Sequence, residues 1–185
     1  RGNSDGMNDY CWPKSSTTEM VFENPRGVNG KISMQWYDGG RRPQSVKRVP
    51  AEFIEPDHYD PWNRSNCTFI VGTKETVLTN DLGTYCTIYP RERMSELAKL
   101  EKLPKKEKSE NAYAGNSHLE WVECCLQGRQ PSANFDYAAP FTEMSLLSTV
   151  AIIDPDKDLQ YIPEKLEFAN SPEATRCVKS LYEYN

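Results

Sequence analysis

A chain of 185 residues, 37% apolar and 26% charged, is long enough to bury one core and too short for two large ones, so a single domain over 1–185 is expected. Its net charge of −5, from 27 acidic and 22 basic residues interspersed along the sequence, excludes the basic stripe that nucleic-acid phosphates require. No run approaches the roughly 18 to 20 apolar residues of a membrane span, and Arg1 to Tyr10 is polar and turn-prone rather than a signal-peptide core; a soluble chain is expected, with cytoplasm and periplasm both open.

Ser16 to Glu23 alternates, with Met20 and Phe22 on one face and Glu19 and Glu23 on the other, the period-two pattern of a half-buried strand. Asn24-Pro25-Arg26-Gly27-Val28-Asn29-Gly30 supplies turn chemistry. Lys31 to Tyr37 then alternates again, placing Ile32, Met34 and Trp36 together, so the two segments predict an antiparallel hairpin. Gly39 to Asn66 is rich in Pro and Arg and shows neither period, which marks a long functional or partner-covered loop. Cys67 to Val71 and Thr76 to Thr79 are apolar, β-branched runs joined by Gly72-Thr73-Lys74-Glu75. Thr84 to Tyr89 follows Asp81-Leu82-Gly83 as a further strand.

Helical spacing begins at Arg91, where Met94, Leu97 and Leu100 fall three apart, and gives way to mixed charge broken by Pro104. Ser117-His118-Leu119-Glu120 matches a capping box, and the helix it opens carries an apolar stripe of Leu119, Val122, Cys125 and Leu126, ended by Gly128. A second helix starts around Asp136 and runs to about Ile153, with Phe141, Met144, Leu147, Val150 and Ala151 as its core face. Asp154 to Asp158 reads as a turn, Leu159 to Ile162 and Lys165 to Phe168 as short extended pieces, and Ser171-Pro172-Glu173 as a helix start with Pro at its first position. Strands followed by helices predict an α+β fold, an open and mostly antiparallel sheet with helices packed on one face.

No catalytic set is legible by itself. There is no GxSxG elbow, HExxH, Walker loop or GxGxxG turn, and the two histidines, His58 and His118, lie sixty positions apart. The six cysteines, at 11, 67, 86, 124, 125 and 177, show no CxxC or zinc spacing and are expected to be small buried thiols. No metal is expected, even at the Glu55 to Asp60 run with its His58, which reads as loop surface. Trp36-Tyr37-Asp38-Gly39-Gly40 is the strongest candidate. It ends a strand with an aromatic pair, a carboxylate and two glycines that let the backbone approach a neighbour closely. Arg41 and Gln44 follow as hydrogen-bond donors. His118, in the first turn of its helix, meets the positive end of the helix dipole, which favours a neutral ring. The candidate substrate contacts are therefore Tyr37, Asp38, Arg41, Gln44 and His118, against the bland reading that Asp38 caps a turn and Arg41 is solvated.

Four tracts in this order carry a resemblance: Trp36 to Gly40, Phe69-Ile70-Val71-Gly72-Thr73-Lys74-Glu75, His118-Leu119-Glu120-Trp121, and Asn134-Phe135-Asp136-Tyr137-Ala138-Ala139-Pro140-Phe141-Thr142-Glu143-Met144. Together they resemble the C-terminal domain of the glucose-fructose oxidoreductase/inositol dehydrogenase (Gfo/Idh/MocA) family, over about Asp5 to Tyr184. The resemblance implies an open sheet with helices that closes a substrate cleft, and a separate Rossmann domain that binds NAD(P). It implies too that the glycine-rich fingerprint, the Glu-Lys-Pro lysine and the histidine on the first helix of the second domain lie upstream of Arg1. On this reading the isolated chain binds no NAD(P) and is inactive, because hydride transfer needs cofactor pocket and proton-transfer group together.

Two classes of function remain. The first is the substrate-binding and oligomerisation domain of an NAD(P)-dependent oxidoreductase acting on a sugar or polyol-like substrate, or of a related NAD-dependent glycosidase. The second is a stand-alone, non-catalytic binding or assembly module. Strands carrying Met20, Phe22, Met34, Trp36, Phe69 and Val71 have two faces and the helices cover one, which predicts a homo-oligomer through the open sheet face.

Overall fold

The computed structural model describes residues 1–6, 8, 10–51, 54, 66–81, 85–101 and 116–179. The run Glu55 to Asp60, with His58, and the mixed-charge stretch 102–110 lie outside the described residues. In chain order the elements are β1 (Gly2–Ser4), β2 (Ser16–Val28), β3 (Lys31–Tyr37), β4 (Cys67–Val71), β5 (Thr76–Asn80), β6 (Cys86–Tyr89), α1 (Arg91–Lys99), α2 (Ser117–Gln127), α3 (Phe135–Ile153), β7 (Tyr161–Ile162), β8 (Glu167–Phe168) and α4 (Pro172–Val178). Strands and helices are segregated, as an α+β chain requires. Among the described residues the strands form three small sheets, β1-β2-β3, β4-β5-β6 and β7-β8, in place of the one sheet expected.

The chain divides into two compact units. One comprises Pro13–Thr17 and Val21–Lys105. Its hairpin turns where the sequence places the turn: Asn29 and Gly30 take φ of 54° and 74°, values that Asn and Gly adopt at least cost. Asn24 N–H donates to the Gly30 carbonyl at 2.8 Å and Gly30 N–H to the Gly27 carbonyl at 3.2 Å, so β2 runs as far as Val28. β4, β5 and β6 are antiparallel, with Phe69 opposite Leu78 and Leu78 opposite Thr87. The core here is Val49, Ile54, Leu78 and Tyr89, joined by Val46, Cys67 and Phe69. Arg48 ties the loop before it to the β4–β5 turn, donating to the Gly72 and Thr73 carbonyls at 3.3 and 2.5 Å. Thr76, fully buried, satisfies its hydroxyl on the Lys47 carbonyl at 2.6 Å. α1 lies against β6 and buries Met94 and Leu97 only partly.

The other unit comprises Arg1–Trp12, Thr18–Met20 and Lys106–Asn185. Here β1, which the polar start of the chain does not announce, pairs with the Thr18–Met20 part of β2. Arg1 and Glu19 exchange both backbone bonds, at 3.0 and 2.8 Å, an antiparallel narrow pair. Gly2 makes this strand possible, since a Cβ there would lie 2.4 Å from the Ala151 carbonyl of α3. Val150, Phe168 and Ala174 form the core, with Leu147, Leu159, Tyr161 and Val178 packed on them. α4 starts as expected: Ser171 caps it by accepting from Ala174 N–H at 3.1 Å, with Pro172 at the first turn.

Two expectations for α2 are corrected. Asn116, not Ser117, is its N-cap, accepting from Leu119 N–H at 3.0 Å. Glu120 does not close a capping box; it is buried and its carboxylate accepts from Ser132. The stripe of Leu119, Val122, Cys125 and Leu126 faces solvent, while Glu120 and Cys124 are buried. A short amphipathic helix orients by whichever face finds a partner, and a doubly hydrogen-bonded carboxylate supplied that partner here. The C-terminal stop at Gly128, φ 64°, is as expected.

Candidate functional site

β3 runs straight into the Trp36 to Gly40 tract, and the strand end is fixed by groups close to Ser16, the first residue of β2. Asp38 N–H donates to the Ser16 carbonyl at 3.1 Å. In return the Asp38 carboxylate accepts from Ser16 N–H at 2.5 Å and from the Ser16 hydroxyl at 2.9 Å. Ser16 is buried, so its N–H and hydroxyl need these acceptors. Gly39, φ 60°, passes so close to Lys14 that a Cβ would stand 1.9 Å from that residue's carbonyl oxygen. The close backbone approach that the glycines lead one to expect is therefore made to the chain's own Lys14–Ser15 segment.

Arg41 continues the same construction. Its N–H closes a turn on the Asp38 carbonyl at 3.0 Å and its Nε donates to the Ser15 hydroxyl at 2.8 Å. Tyr37 is half-buried and its hydroxyl donates to Gln35 Oε1 at 2.8 Å. Gln44 is exposed on the loop beyond. Tyr37, Asp38, Arg41 and Gln44 thus belong to one strand end and its loop. His118 is exposed in the first turn of α2 and belongs to the other unit.

Ser15 and Ser16 orient Asp38 and Arg41, a role the sequence does not signal, because a contact across more than twenty positions leaves no local pattern. A second polar pair is equally silent in the sequence. Tyr161, on β7, donates to Glu143 of α3 at 2.5 Å. Burial, then this hydrogen bond and the carboxylate's charge, push the phenol up to about 12. In the same unit Asp154 accepts from the buried Ser171 hydroxyl at 2.5 Å and from Lys157 at 3.1 Å. First the Ser171 hydrogen bond and then Lys157 hold that carboxyl below its usual range.

Among the described residues no three His, Cys, Asp or Glu side chains are placed to hold a metal ion, and no helix is long and apolar enough to cross a membrane. The expectation of buried thiols is corrected: Cys124 is buried and Cys67 half-buried, but Cys11, Cys86, Cys125 and Cys177 are exposed, and all six are free. Large apolar side chains are exposed as well. They include Val21, Phe22, Ile32 and Trp36 on β2 and β3, and Phe135, Phe141 and Leu146 on α3. No protein-family model matches the chain, and no curated protein is significantly similar to it.

Proposed function

We propose that the chain is the substrate-binding and oligomerisation domain of an NAD(P)-dependent oxidoreductase of the Gfo/Idh/MocA type, acting on a sugar or polyol-like substrate. The reading is supported above all by the rigid strand end around Asp38. A polyhydroxylated ligand needs donors, acceptors and an aromatic edge presented by an element that does not move. The Ser16–Asp38 clasp and the Lys14–Gly39 approach supply that rigidity, and Tyr37, Arg41 and Gln44 are carried by it. With its carboxylate oxygens on Ser16, Asp38 acts as the group that shapes the site, and Gln44 as its exposed hydrogen-bonding member. NAD(P) and the hydride-transfer groups belong to a dinucleotide-binding domain of the parent protein.

The test is kinetic, in the parent carrying that domain. NAD(P) reduction is measured against a panel of sugars and polyols, and Gln44→Ala is expected to raise KM about tenfold, equivalent to about 1.4 kcal/mol, with an unchanged melting temperature. Unchanged kinetics in that variant and in Arg41→Ala would move the substrate contacts away from this strand end. The rival reading, a non-catalytic assembly module, draws on the exposed apolar faces of β2, β3 and α3. A reading frame with no dinucleotide-binding domain joined to this one would favour it.

A further inference from the structure

The solvent-facing side of α3 is built unlike an ordinary helix surface. Along the nineteen residues from Phe135 to Ile153 the charged side chains are Asp136 and Glu143, and Glu143 is engaged by Tyr161. The outward positions, Phe135, Ala138, Phe141, Thr142, Ser145, Leu146, Thr149 and Ile153, carry no charge. Their hydroxyls turn back on the helix: Thr142 donates to the Ala138 carbonyl at 2.8 Å, Ser145 to Phe141 at 3.0 Å and Thr149 to Leu146 at 2.7 Å. A face whose polar hydrogens are already spent on its own backbone loses few hydrogen bonds to water when it is covered.

We propose that this face packs on the same face of a second copy of the chain, with the two α3 helices antiparallel about a two-fold axis between Thr142 and Ser145. The face is self-complementary about that point. Phe141 meets Leu146 of the second copy, Ala138 meets its Thr149, Thr142 meets its Ser145, and Phe135 comes beside its Ile153. Large side chains therefore lie at the flanks and small ones at the axis, as a close isologous helix pair requires. Antiparallel packing also opposes the helix dipoles and brings exposed Asp136 toward the end of the second copy's helix, where Lys157 stands.

The available area is of the right order. Phe135, Phe141 and Leu146 are 72%, 58% and 59% exposed, and aromatic side chains carry ~150 to 250 Å² each. With the smaller residues between them, and with Trp121 of α2 edge-on to Phe135 at 5.8 Å, the patch reaches several hundred square ångströms. Stable interfaces use roughly 800 Å² per partner. This contact goes beyond the oligomerisation reading above, which concerns the sheet face, and it uses a different surface.

The experiment is sedimentation velocity on the full chain and three variants, with circular dichroism to confirm folding. Phe141→Glu and Leu146→Lys are each expected to weaken association about tenfold or more, while Trp36→Glu, on the sheet face, leaves the α3 pair in place. A one-to-one mixture of Phe141→Glu and Leu146→Lys should associate again. In the antiparallel register the new glutamate of one chain meets the new lysine of the other, and the second Phe141–Leu146 contact is intact. A wild-type chain that stays monomeric, single variants that associate like wild type, or a mixture that fails to recover would each overturn the α3 pairing. Association abolished by Trp36→Glu alone would leave the sheet-face reading standing and remove this one.

Discussion

Asp38 receives both polar hydrogens of Ser16, the backbone N–H at 2.5 Å and the hydroxyl at 2.9 Å, and returns its own N–H to the Ser16 carbonyl at 3.1 Å. Removing the carboxylate leaves a buried N–H and hydroxyl without acceptors, which costs about 1 to 3 kcal/mol. Asp38→Ala is therefore expected to lower the urea midpoint, and Asp38→Asn, whose amide oxygen still accepts from the N–H, to lower it less. Equal midpoints for Asp38→Ala and wild type would show that the clasp contributes nothing to stability.

Glu120 repeats the arrangement in the other unit, taking Ser132 N–H and the Ser132 hydroxyl at 2.8 Å each and so tying α2 to the segment before α3. Glu120→Ala should destabilise by about 1 to 3 kcal/mol. Glu120→Gln retains one acceptor, and the Ser132 hydroxyl can rotate to accept from the new amide, so most of the loss should be recovered. Amide hydrogen exchange across α2 is the measurement. Equal protection in wild type and Glu120→Ala would mean that the carboxylate is not what turns the apolar stripe of this helix outward.

The Tyr161 phenol, pushed up to about 12 by burial and by Glu143, favours the protonated form in the folded state. Its contribution to stability is complete below the ordinary phenol value near 10 and is lost as pH rises from there toward about 12. Asp154 works in the other direction: held below its usual range by Ser171 and Lys157, it stabilises above the ordinary carboxyl range and stops doing so as pH falls through its own lowered value. Tyrosinate absorbance should show one late-titrating phenol that vanishes in Tyr161→Phe. Ser171→Ala should flatten the acid limb of the stability profile, and an acid limb unchanged in that variant would rule out the Asp154 contribution.

Cofactor binding gives the simplest check on the proposed division of labour. The sequence contains no GxGxxG strand-turn-helix to cradle a pyrophosphate, so titration calorimetry with NAD or NADP is expected to give no heat of binding for this chain. Micromolar affinity would place the cofactor site here and remove the case for a separate dinucleotide-binding domain.

What the sequence determines by itself is local. Asn29-Gly30 fixes the β2–β3 turn, Gly128 stops α2, and Ser171-Pro172 starts α4, because each rests on backbone preferences within a few residues. Alternation and helical period place most elements to within a residue or two for the same reason. Tertiary structure alone decides what a buried polar group finds. Glu120 has the spacing of a capping box and instead meets Ser132, twelve positions on. β1 has no strand pattern of its own and exists through Arg1–Glu19 pairing and the space that Gly2 leaves beside Ala151. At the candidate site the residue types of Asp38 and Gly39 were legible, but their partners, Ser16 and Lys14, were not. The reason is energetic: hydrogen-bond satisfaction and burial are settled by whichever distant atoms arrive within reach, and a periodic pattern encodes only which side a residue faces.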